Sequence, residues 1–244
     1  MRRGVSACIV LVLAAGTALG AGSIISSFPS PCTAPVGMCY RGGYIYHMNT
    51  PGGVIYQTTT KGSIIRSINA LPSGMGVHFT GTYFWVCTYA TSMVCRLSSN
   101  GSILGSFRGP AEGYGITTNG TYLWYSSARG GNMVWQLTTT GSIISSFSGP
   151  GNSNGGLDWD ARGYLWLADW GGPGSGGVFR ITTAGSVVES YRPVPTGGRS
   201  SGCAWDGRYV WYCEVNLPRY VYQMDAVIPS VAPASLGKVK ALFK

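Results

Sequence analysis

The phrase Gly141-Ser-Ile-Ile-Ser-Ser-Phe147 recurs along the chain and decides how the rest of the sequence is interpreted. Its other copies are Gly22-Ser-Ile-Ile-Ser-Ser-Phe28, Gly62-Ser-Ile-Ile-Arg-Ser-Ile68, Gly101-Ser-Ile-Leu-Gly-Ser-Phe107 and Gly185-Ser-Val-Val-Glu-Ser-Tyr191. The copies start 40, 39, 40 and 44 residues apart. A period of about 40 residues is typical of the four-stranded blades of a β-propeller.

A second phrase lies between successive copies and predicts further strands in each repeat. Gly115-Ile-Thr-Thr-Asn-Gly-Thr-Tyr-Leu-Trp124 contains a short strand, a glycine-containing turn and a second strand of aromatic and β-branched residues. A third strand follows, such as Met133-Val-Trp-Gln-Leu137. Helical periodicity is absent. Each repeat is therefore predicted to be a four-stranded antiparallel meander.

The order of these strands predicts a closed ring. The first Gly-Ser-Ile-Ile strand, Ser23–Phe28, precedes every three-strand set, whereas the last set, Gly202–Met224, has no fourth strand after it. Closing the ring with the N-terminal strand supplies that fourth strand and removes two exposed sheet edges. The predicted fold is an all-β, five-bladed β-propeller over residues 21–226, with the ring closed by the N-terminal strand.

The first 20 residues have the features of a signal peptide. Met1-Arg2-Arg3 is basic, and Val5 to Ala15 is an apolar stretch too short to span a bilayer. Ala18-Leu19-Gly20 provides small residues for cleavage after Gly20. The chain is therefore expected to be secreted, either extracellular or periplasmic, and to have no membrane span.

The composition is basic without any nucleic-acid motif. The chain has 17 Lys and Arg against 8 Asp and Glu, a formal net charge of +9, which falls to about +7 without Arg2 and Arg3. The excess charge either keeps an exported protein soluble or attracts an anionic surface or polymer. No nucleic-acid partner is predicted. Residues 227–244 fall outside the repeat and form a tail, which is either a frayed end or a secretion or surface-sorting signal.

The cysteines form three local pairs in the sequence. Six of the seven follow the predicted cleavage, and an even number in an exported chain indicates disulfides. The predicted pairs are Cys32–Cys39, Cys87–Cys95 and Cys203–Cys213. Cys87 and Cys95 flank a short turn and are expected to face each other across a hairpin, whereas other pairings remain open for the rest. No C-x-x-C spacing favours a zinc site.

At its blade phrases the chain resembles exported bacterial propellers whose repeats read roughly Gly-Leu-x-Trp-Asp-Gly-x-Tyr-Leu-Trp. It is similar to NHL-type and YncE-like propellers and to the glutamine cyclotransferase family, from about Gly22 to Asp225. The resemblance implies the architecture, with a ligand site at one mouth of the central channel, but no particular function. The cyclotransferase motif resembles Phe-Thr-x-Gly-Leu and carries a catalytic acid; the nearest phrase here, Gly156-Leu157-Asp158, lacks a glutamate.

Five residues are predicted to contact a ligand at a channel mouth. Asp169 and Glu214 follow equivalent second-strand positions, where an acid binds a cation, an amine or a sugar hydroxyl; the alternative is a solvated loop. Trp170 begins a Gly/Pro-rich loop and either stacks on a sugar or belongs to a flexible connector. His78 either lines the channel or is a satisfied structural histidine. Arg129 is the fifth predicted ligand contact.

Residues that recur in every repeat are interpreted as structural. One repeat position carries a large aromatic residue, predicted to pack between blades: Tyr46, Trp85, Trp124, Trp166 and Trp211. Asp160 and Asp206 lie at turn positions, where the carboxylate satisfies its own turn.

These observations lead to three hypotheses for function. The sequence has no paired acids, metal-ligand cluster, G-x-S-x-G or H-E-x-x-H motif, so no catalytic residue, metal or cofactor is predicted. The first hypothesis is a secreted, non-catalytic, monomeric binding propeller whose ligand is a glycan or a cell-surface protein. The second is a cyclotransferase-like or lyase-like enzyme that uses His78 with Asp169 or Glu214. The third is a structural surface component attached through its tail.

Overall fold

The computed structural model describes residues 22–129, 131–171, 176–192 and 200–226. These residues form twenty β-strands in five four-stranded antiparallel sheets, with no helix among them. The prediction of an all-β, five-bladed propeller is confirmed. The predicted signal peptide, residues 1–20, and the predicted tail, residues 227–244, lie outside the described residues.

Each sheet is one blade, and its strands run outward from the axis of the ring. The innermost strands are β2 (Pro35–Arg41), β6 (Gly74–Phe79), β10 (Gly115–Thr118), β14 (Asn154–Asp160) and β18 (Ser200–Trp205). The second strands are β3 (Tyr44–Asn49), β7 (Tyr83–Thr88), β11 (Tyr122–Ser126), β15 (Tyr164–Asp169) and β19 (Val210–Glu214). The third strands are β4 (Val54–Thr59), β8 (Met93–Ser98), β12 (Met133–Thr138), β16 (Gly177–Thr182) and β20 (Tyr220–Asp225). The outermost strands are β1 (Ser23–Pro29), β5 (Ile64–Asn69), β9 (Ile103–Arg108), β13 (Ile143–Ser148) and β17 (Val187–Tyr191).

The N-terminal strand closes the ring as predicted. Strand β1 pairs antiparallel with β20, from Ser23 opposite Asp225 to Pro29 opposite Tyr220. The fifth blade therefore has the order β1-β20-β19-β18, and it combines strands from both ends of the propeller. Because β1 covers the free edge of β20, the last blade is as complete as the other four.

The glycine that opens the second phrase of each repeat is required by close packing at the axis. A Cβ atom on Gly37 would lie 2.2 Å from the backbone oxygen of Met75, and one on Gly202 would lie 2.2 Å from that of Val36. Both separations are well inside van der Waals contact. The inner strands of neighbouring blades thus approach so closely that a side chain has no room at this position.

The recurrent aromatic residues pack between blades, as predicted. Trp124 and Trp166 are almost fully buried. Trp124 stacks on Trp159 with ring centroids 4.7 Å apart, and Trp166 stacks on Trp205 at 5.2 Å. In both pairs a tryptophan near the end of an inner strand lies against the second-strand tryptophan of the preceding blade. These stacks contribute apolar burial and ring–ring attraction to the joints between sheets.

The apolar pair of the Gly-Ser-Ile-Ile phrase lies at the perimeter, where it is exposed. Ile143 and Ile144 of β13 have exposed fractions of 58% and 48%, and the corresponding residues of β5 and β9 are similarly exposed. The glycine before each pair forms the tight turn from the third strand, and its φ is positive, for example +97° at Gly141. The phrase therefore specifies a turn and an outer strand, and its isoleucines do not build the core.

The predicted disulfides are absent, because strand register separates the cysteines. All six described cysteines are buried thiols. Cys87 lies opposite Val94, so Cys95 is one residue out of register and its side chain points to the other face of the sheet. Cys213 lies opposite Gly202, which separates it from Cys203 in the same way.

The two cysteines of the third predicted pair, Cys32 and Cys39, have different neighbours. The Sγ atom of Cys39 accepts a hydrogen bond from the backbone N–H of Phe79 in the second blade, at 3.2 Å. The buried Cys32 lies near Cys213 of the fifth blade instead; burial, together with the neighbouring Cys213 thiol, raises the pKa of Cys32. The prediction that Cys32 pairs with Cys39 is therefore wrong in this structure.

Candidate functional site

The central axis has two ends with different residues. Equivalent positions of the inner strands lie side by side around the axis. All turns from a first to a second strand therefore gather at one end, which we call the turn mouth and define by residues 40–43, 79–82, 118–121, 160–163 and 205–209. The other end, where inner strands begin and second strands finish, is called the opposite mouth; Asn154 faces Asp169 there, and Ser200 faces Glu214.

A cavity of about 540 Å³ opens at the turn mouth. Its walls carry aromatic side chains, polar side chains and one exposed cation; among them are Tyr40, Arg41, Phe79, Asn119, Trp159 and Trp205. His78 and Asp158 line the same cavity from deeper positions on β6 and β14. A concave site that combines aromatic walls with a few convergent polar groups is the usual form of a small-ligand site.

Three side chains from three consecutive blades form a hydrogen-bonded floor. The Nδ1 atom of His78 lies 3.0 Å from Oγ1 of Thr117 and 3.5 Å from Oδ1 of Asp158. The Thr117 hydroxyl lies 3.3 Å from the same carboxylate oxygen. Because Nδ1 is directed at these partners, the Nε2 edge of the partly exposed imidazole ring is directed away from them.

Asp158 is fixed in place by backbone donors. Its Oδ2 atom accepts a hydrogen bond from the N–H of Trp205 at 2.7 Å, and Oδ1 accepts one from the N–H of Trp159 at 3.0 Å. The residue is only 3% exposed. Backbone donors of two blades therefore hold a buried carboxylate that orients the His78 ring, an arrangement that favours hydrogen bonding and proton transfer at Nε2.

His78 is separated from the acids with which the sequence analysis grouped it. It lies at the penultimate position of β6, near the turn mouth, whereas Asp169 and Glu214 end β15 and β19 at the opposite mouth. The pairing of His78 with Asp169 or Glu214 in the enzyme hypothesis is not formed. The acid beside His78 is Asp158.

Asp169 organises a loop and is not solvated. Its carboxylate accepts hydrogen bonds from the backbone N–H groups of Asn152 (3.2 Å), Ser153 (2.7 Å) and Gly171 (3.1 Å). The side chain is buried, and this burial raises its pKa, although the three N–H donors act in the other direction. Because both carboxylate oxygens are already used, this residue presents little hydrogen-bonding capacity to a ligand.

Trp170 and Arg129 do come together at the opposite mouth, around two tyrosines. Trp170 packs near Tyr114, with ring centroids 6.5 Å apart. The Arg129 guanidinium lies 5.3 Å from the ring centre of Tyr89, and its Nε atom lies 3.5 Å from Oε2 of Glu112. Glu214 is buried at the end of β19, opposite Ser200. The predicted role of these residues in ligand binding remains a prediction.

Thr117 and the role of Asp158 were not predicted from the sequence, although a signal was present. The position two residues after the opening glycine of each second phrase carries Cys39, His78, Thr117, Asp158 and Ala204. Equivalent positions around the axis become neighbours in a propeller, so polar residues in consecutive repeats indicate one shared site. In the part of the chain that the structure describes, no group of three or more His, Cys, Asp and Glu side chains is arranged to hold a metal ion.

The chain is similar in structure to several propellers at low sequence identity. Glutaminyl cyclase from Myxococcus xanthus superposes with a TM-score of 0.69 and 15% identity, over 84% of this chain and 97% of that chain. Virginiamycin B lyase from Staphylococcus aureus gives 0.51 and 23%, over 82% and 69% of the two chains. The WD40 propeller domain of Doa1 gives 0.51 and 12%, over 78% and 62%. No protein-family model and no curated protein matches the chain.

Fold and comparisons together define the class of the protein. It is a five-bladed β-propeller whose structural neighbours include glutaminyl cyclase-like and lyase-like propellers. The neighbours comprise enzymes as well as a WD40 propeller, and such identities show a shared fold alone. Within the described residues, no helix has the length and apolar character needed to cross a bilayer.

Proposed function

We propose that the protein is a non-catalytic binding propeller that acts outside the cytoplasm and holds a sugar residue of a glycan in the turn-mouth cavity. The observation that carries this proposal is the His78–Thr117–Asp158 floor beneath aromatic walls. The partly exposed His78 ring, oriented by Thr117 and Asp158, offers its Nε2 edge to a sugar hydroxyl. Aromatic residues such as Trp159 supply apolar contact for the faces of a sugar ring.

The size and rigidity of the site support a small polar ligand. A volume of about 540 Å³ accommodates a small ligand of the kind that protein clefts commonly bind. Asp158 is already held by two backbone N–H groups, so a ligand need not order this side chain on binding. Preorganisation of this kind improves affinity because less conformational entropy is lost in the complex.

The test is ligand binding by variants at the two mouths. A glycan panel is screened by thermal unfolding, and the affinity for each hit is then measured calorimetrically. We expect His78→Ala and Trp159→Ala to weaken binding at least about tenfold, because hydrogen bonds and ring contacts contribute on this scale. Trp170→Ala and Arg129→Ala, at the opposite mouth, are expected to bind normally. Loss of binding in the second pair alone would place the ligand at the opposite mouth and overturn the assignment.

The proposed location has its own test. The basic start, apolar stretch and small residues of positions 1–20 support export. We expect the chain recovered from the exporting cell to begin near residue 21 and to be found in the medium or periplasm. An uncleaved chain in the cytoplasmic fraction would contradict export without touching the binding assignment.

A second candidate function is general acid–base catalysis by His78. The specific observation in its favour is that Nδ1 is held by Thr117 and Asp158, which leaves Nε2 directed away from them. Two structural neighbours are named as a cyclase and a lyase. Turnover that is abolished in His78→Ala and reduced in Asp158→Asn would replace the binding proposal. Absence of turnover on cyclase and lyase substrates would leave binding as the function.

A further inference from the structure

A second cavity, of about 670 Å³, lies beside the turn-mouth cavity on the same face of the ring. It is formed where β1 and the β18–β19 turn of the fifth blade meet the β4–β5 turn of the first blade; we call it the junction cavity. Tyr40 and Asp206 line both cavities. The two cavities therefore share a wall, and one elongated molecule can occupy both.

Two cations line the junction cavity, and no other blade junction has both. Lys61 and Arg208 are exposed residues of its lining. The positions equivalent to Lys61 carry Asn100, Thr140 and Ala184. Those equivalent to Arg208 carry Thr82 and Thr121 in the second and third blades and Arg162 in the fourth. Only the junction between the fifth and first blades therefore combines a lysine at the first position with an arginine at the second.

The junction cavity is lined by two cations and one acid, Asp206, whose carboxylate accepts hydrogen bonds from the protein itself. Asp206 accepts hydrogen bonds at Oδ1 from the N–H groups of Arg208 (2.8 Å) and Tyr209 (2.6 Å), and at Oδ2 from Nε1 of Trp211 (2.8 Å). Its oxygens are therefore engaged within the protein. Across the described residues, neither Lys61 nor Arg208 takes part in an ion pair. An ammonium and a guanidinium without acidic partners favour an anionic ligand group.

We propose that the junction cavity binds the carboxylate of an acidic oligosaccharide whose neighbouring sugar occupies the turn-mouth cavity. This inference rests on the proposed function and extends it from a single sugar to a negatively charged, elongated glycan. The Tyr40 side chain lies between the two subsites, and Ser27 and Gln223 add a hydroxyl and an amide to the second one. The positive net charge of the whole chain acts in the same direction at longer range.

The test compares two probes with the same sugar chain, one with free carboxylates and one with its carboxyl groups esterified. Tetragalacturonate and its fully methyl-esterified form are titrated into the mature chain at low and moderate salt. We expect the acid to bind about tenfold more tightly than the ester at low salt, because each charge-assisted hydrogen bond adds about that factor. Moderate salt is expected to reduce the difference.

Matched variants assign the effect to the junction. The double variant Lys61→Asn with Arg208→Thr carries the residues that other blades have at these positions, and it is expected to bind acid and ester equally. Arg96→Gln removes an exposed arginine that lines neither cavity, and it is expected to keep the preference for the acid. Thermal unfolding confirms that each variant is folded.

The outcomes separate this inference from the proposed function. Equal affinity for both probes in the unmodified chain, or an unchanged preference in the double variant, would overturn the acidic-ligand inference and leave sugar binding in place. Binding of neither probe, together with binding of some neutral glycan, would have the same meaning. Failure with every glycan would remove both proposals. A tetraglutamate peptide that binds as tightly as tetragalacturonate would overturn the assignment to a glycan and favour an acidic peptide.

Discussion

Cys39 in the first blade and Asp158 in the fourth occupy the same repeat position and make the same contact with the blade that follows. The Sγ atom of Cys39 accepts the N–H of Phe79 at 3.2 Å, and Oδ2 of Asp158 accepts the N–H of Trp205 at 2.7 Å. The Asp158 carboxylate has a further acceptor atom, Oδ1, which accepts a hydrogen bond from the Thr117 hydroxyl. One structural position of the repeat thus becomes part of a polar site when its side chain gains one more acceptor.

Removal of the Asp158 carboxylate is expected to destabilise the ring. Asp158→Ala leaves the buried N–H group of Trp205 and the partly buried one of Trp159 without their acceptor, and loss of the buried partner alone costs about 1–3 kcal/mol. Cys39→Ala removes a single, weaker acceptor and is expected to cost less. Urea unfolding measures both changes. Equal losses in the two variants would show that the second oxygen contributes nothing.

His47 makes the stability depend on pH. The ring is buried, its Nε2 atom lies 2.7 Å from Oγ1 of Thr58, and desolvation lowers its pKa from 6.5 to about 3. Its contribution is complete above pH 6.5 and is lost as pH falls, since the unfolded chain then binds a proton that the folded chain does not. The free energy of unfolding should fall by about 1.4 kcal/mol per pH unit between these values.

The measurement is urea unfolding at several pH values for the natural chain and for His47→Gln. The raised pKa of Asp169 acts with the opposite sign, because a folded state that retains a proton gains stability in acid. This contribution is common to both chains, so the difference between the two profiles isolates His47. Parallel profiles would mean that His47 titrates normally in the folded state.

The fourth blade contains a buried ionic cluster that has no counterpart among the described residues of the other blades. Arg180 is 4% exposed; its Nη2 atom lies 2.9 Å from Oδ2 of Asp160, and its Nη1 atom lies 3.2 Å from Oε1 of Glu189. Arg180→Gln leaves two carboxylates unpaired and is expected to cost about 3–5 kcal/mol. Arg96→Gln, at the equivalent but exposed position, is expected to change stability by less than about 0.5 kcal/mol. Similar midpoints for the two variants in urea would contradict this account.

The close approach of the inner strands predicts a contrast between two glycines. A Cβ atom on Gly115 would lie 2.6 Å from both the backbone oxygen of Gly155 and the hydroxyl of Ser126, whereas one on Gly105 meets nothing within 4 Å. Gly115→Ala is therefore expected to lose about 2 kcal/mol or more through overpacking. Gly105→Ala, in an outer strand, should be neutral or gain up to about 1 kcal/mol. Thermal unfolding distinguishes the two, and a stable Gly115→Ala protein would show that the blades can move apart.

The architecture was predictable because the number of repeated phrases gives the number of blades. Ser23 opposite Asp225 follows from an orphan outer strand at one end of the repeat array and a missing one at the other. The cysteine pairs were not predictable, because their geometry depends on the length of a turn. Cys87 and Cys95 flank the turn, but Cys87 faces Val94, and a shift of one residue places the thiols on opposite faces.

The site was only partly predictable, since its partners are distant in sequence. His78 was singled out as a channel residue, but it reaches Thr117 and Asp158 from one and two repeats away. The acids chosen for it were selected because they follow equivalent second-strand positions, and the Asp169 carboxylate accepts hydrogen bonds from loop N–H groups instead. Comparison of equivalent positions across repeats, rather than search for local motifs, is what identifies such a site.

The pairing of β1 with β20 also sets the order of events during synthesis. Ser26 on β1 and Gln223 on β20, which share a hydrogen bond, are separated by 197 residues. Strand β1 is synthesised before β20, its partner. The fifth blade is therefore completed only after β20 has been translated. Such non-local pairing slows folding.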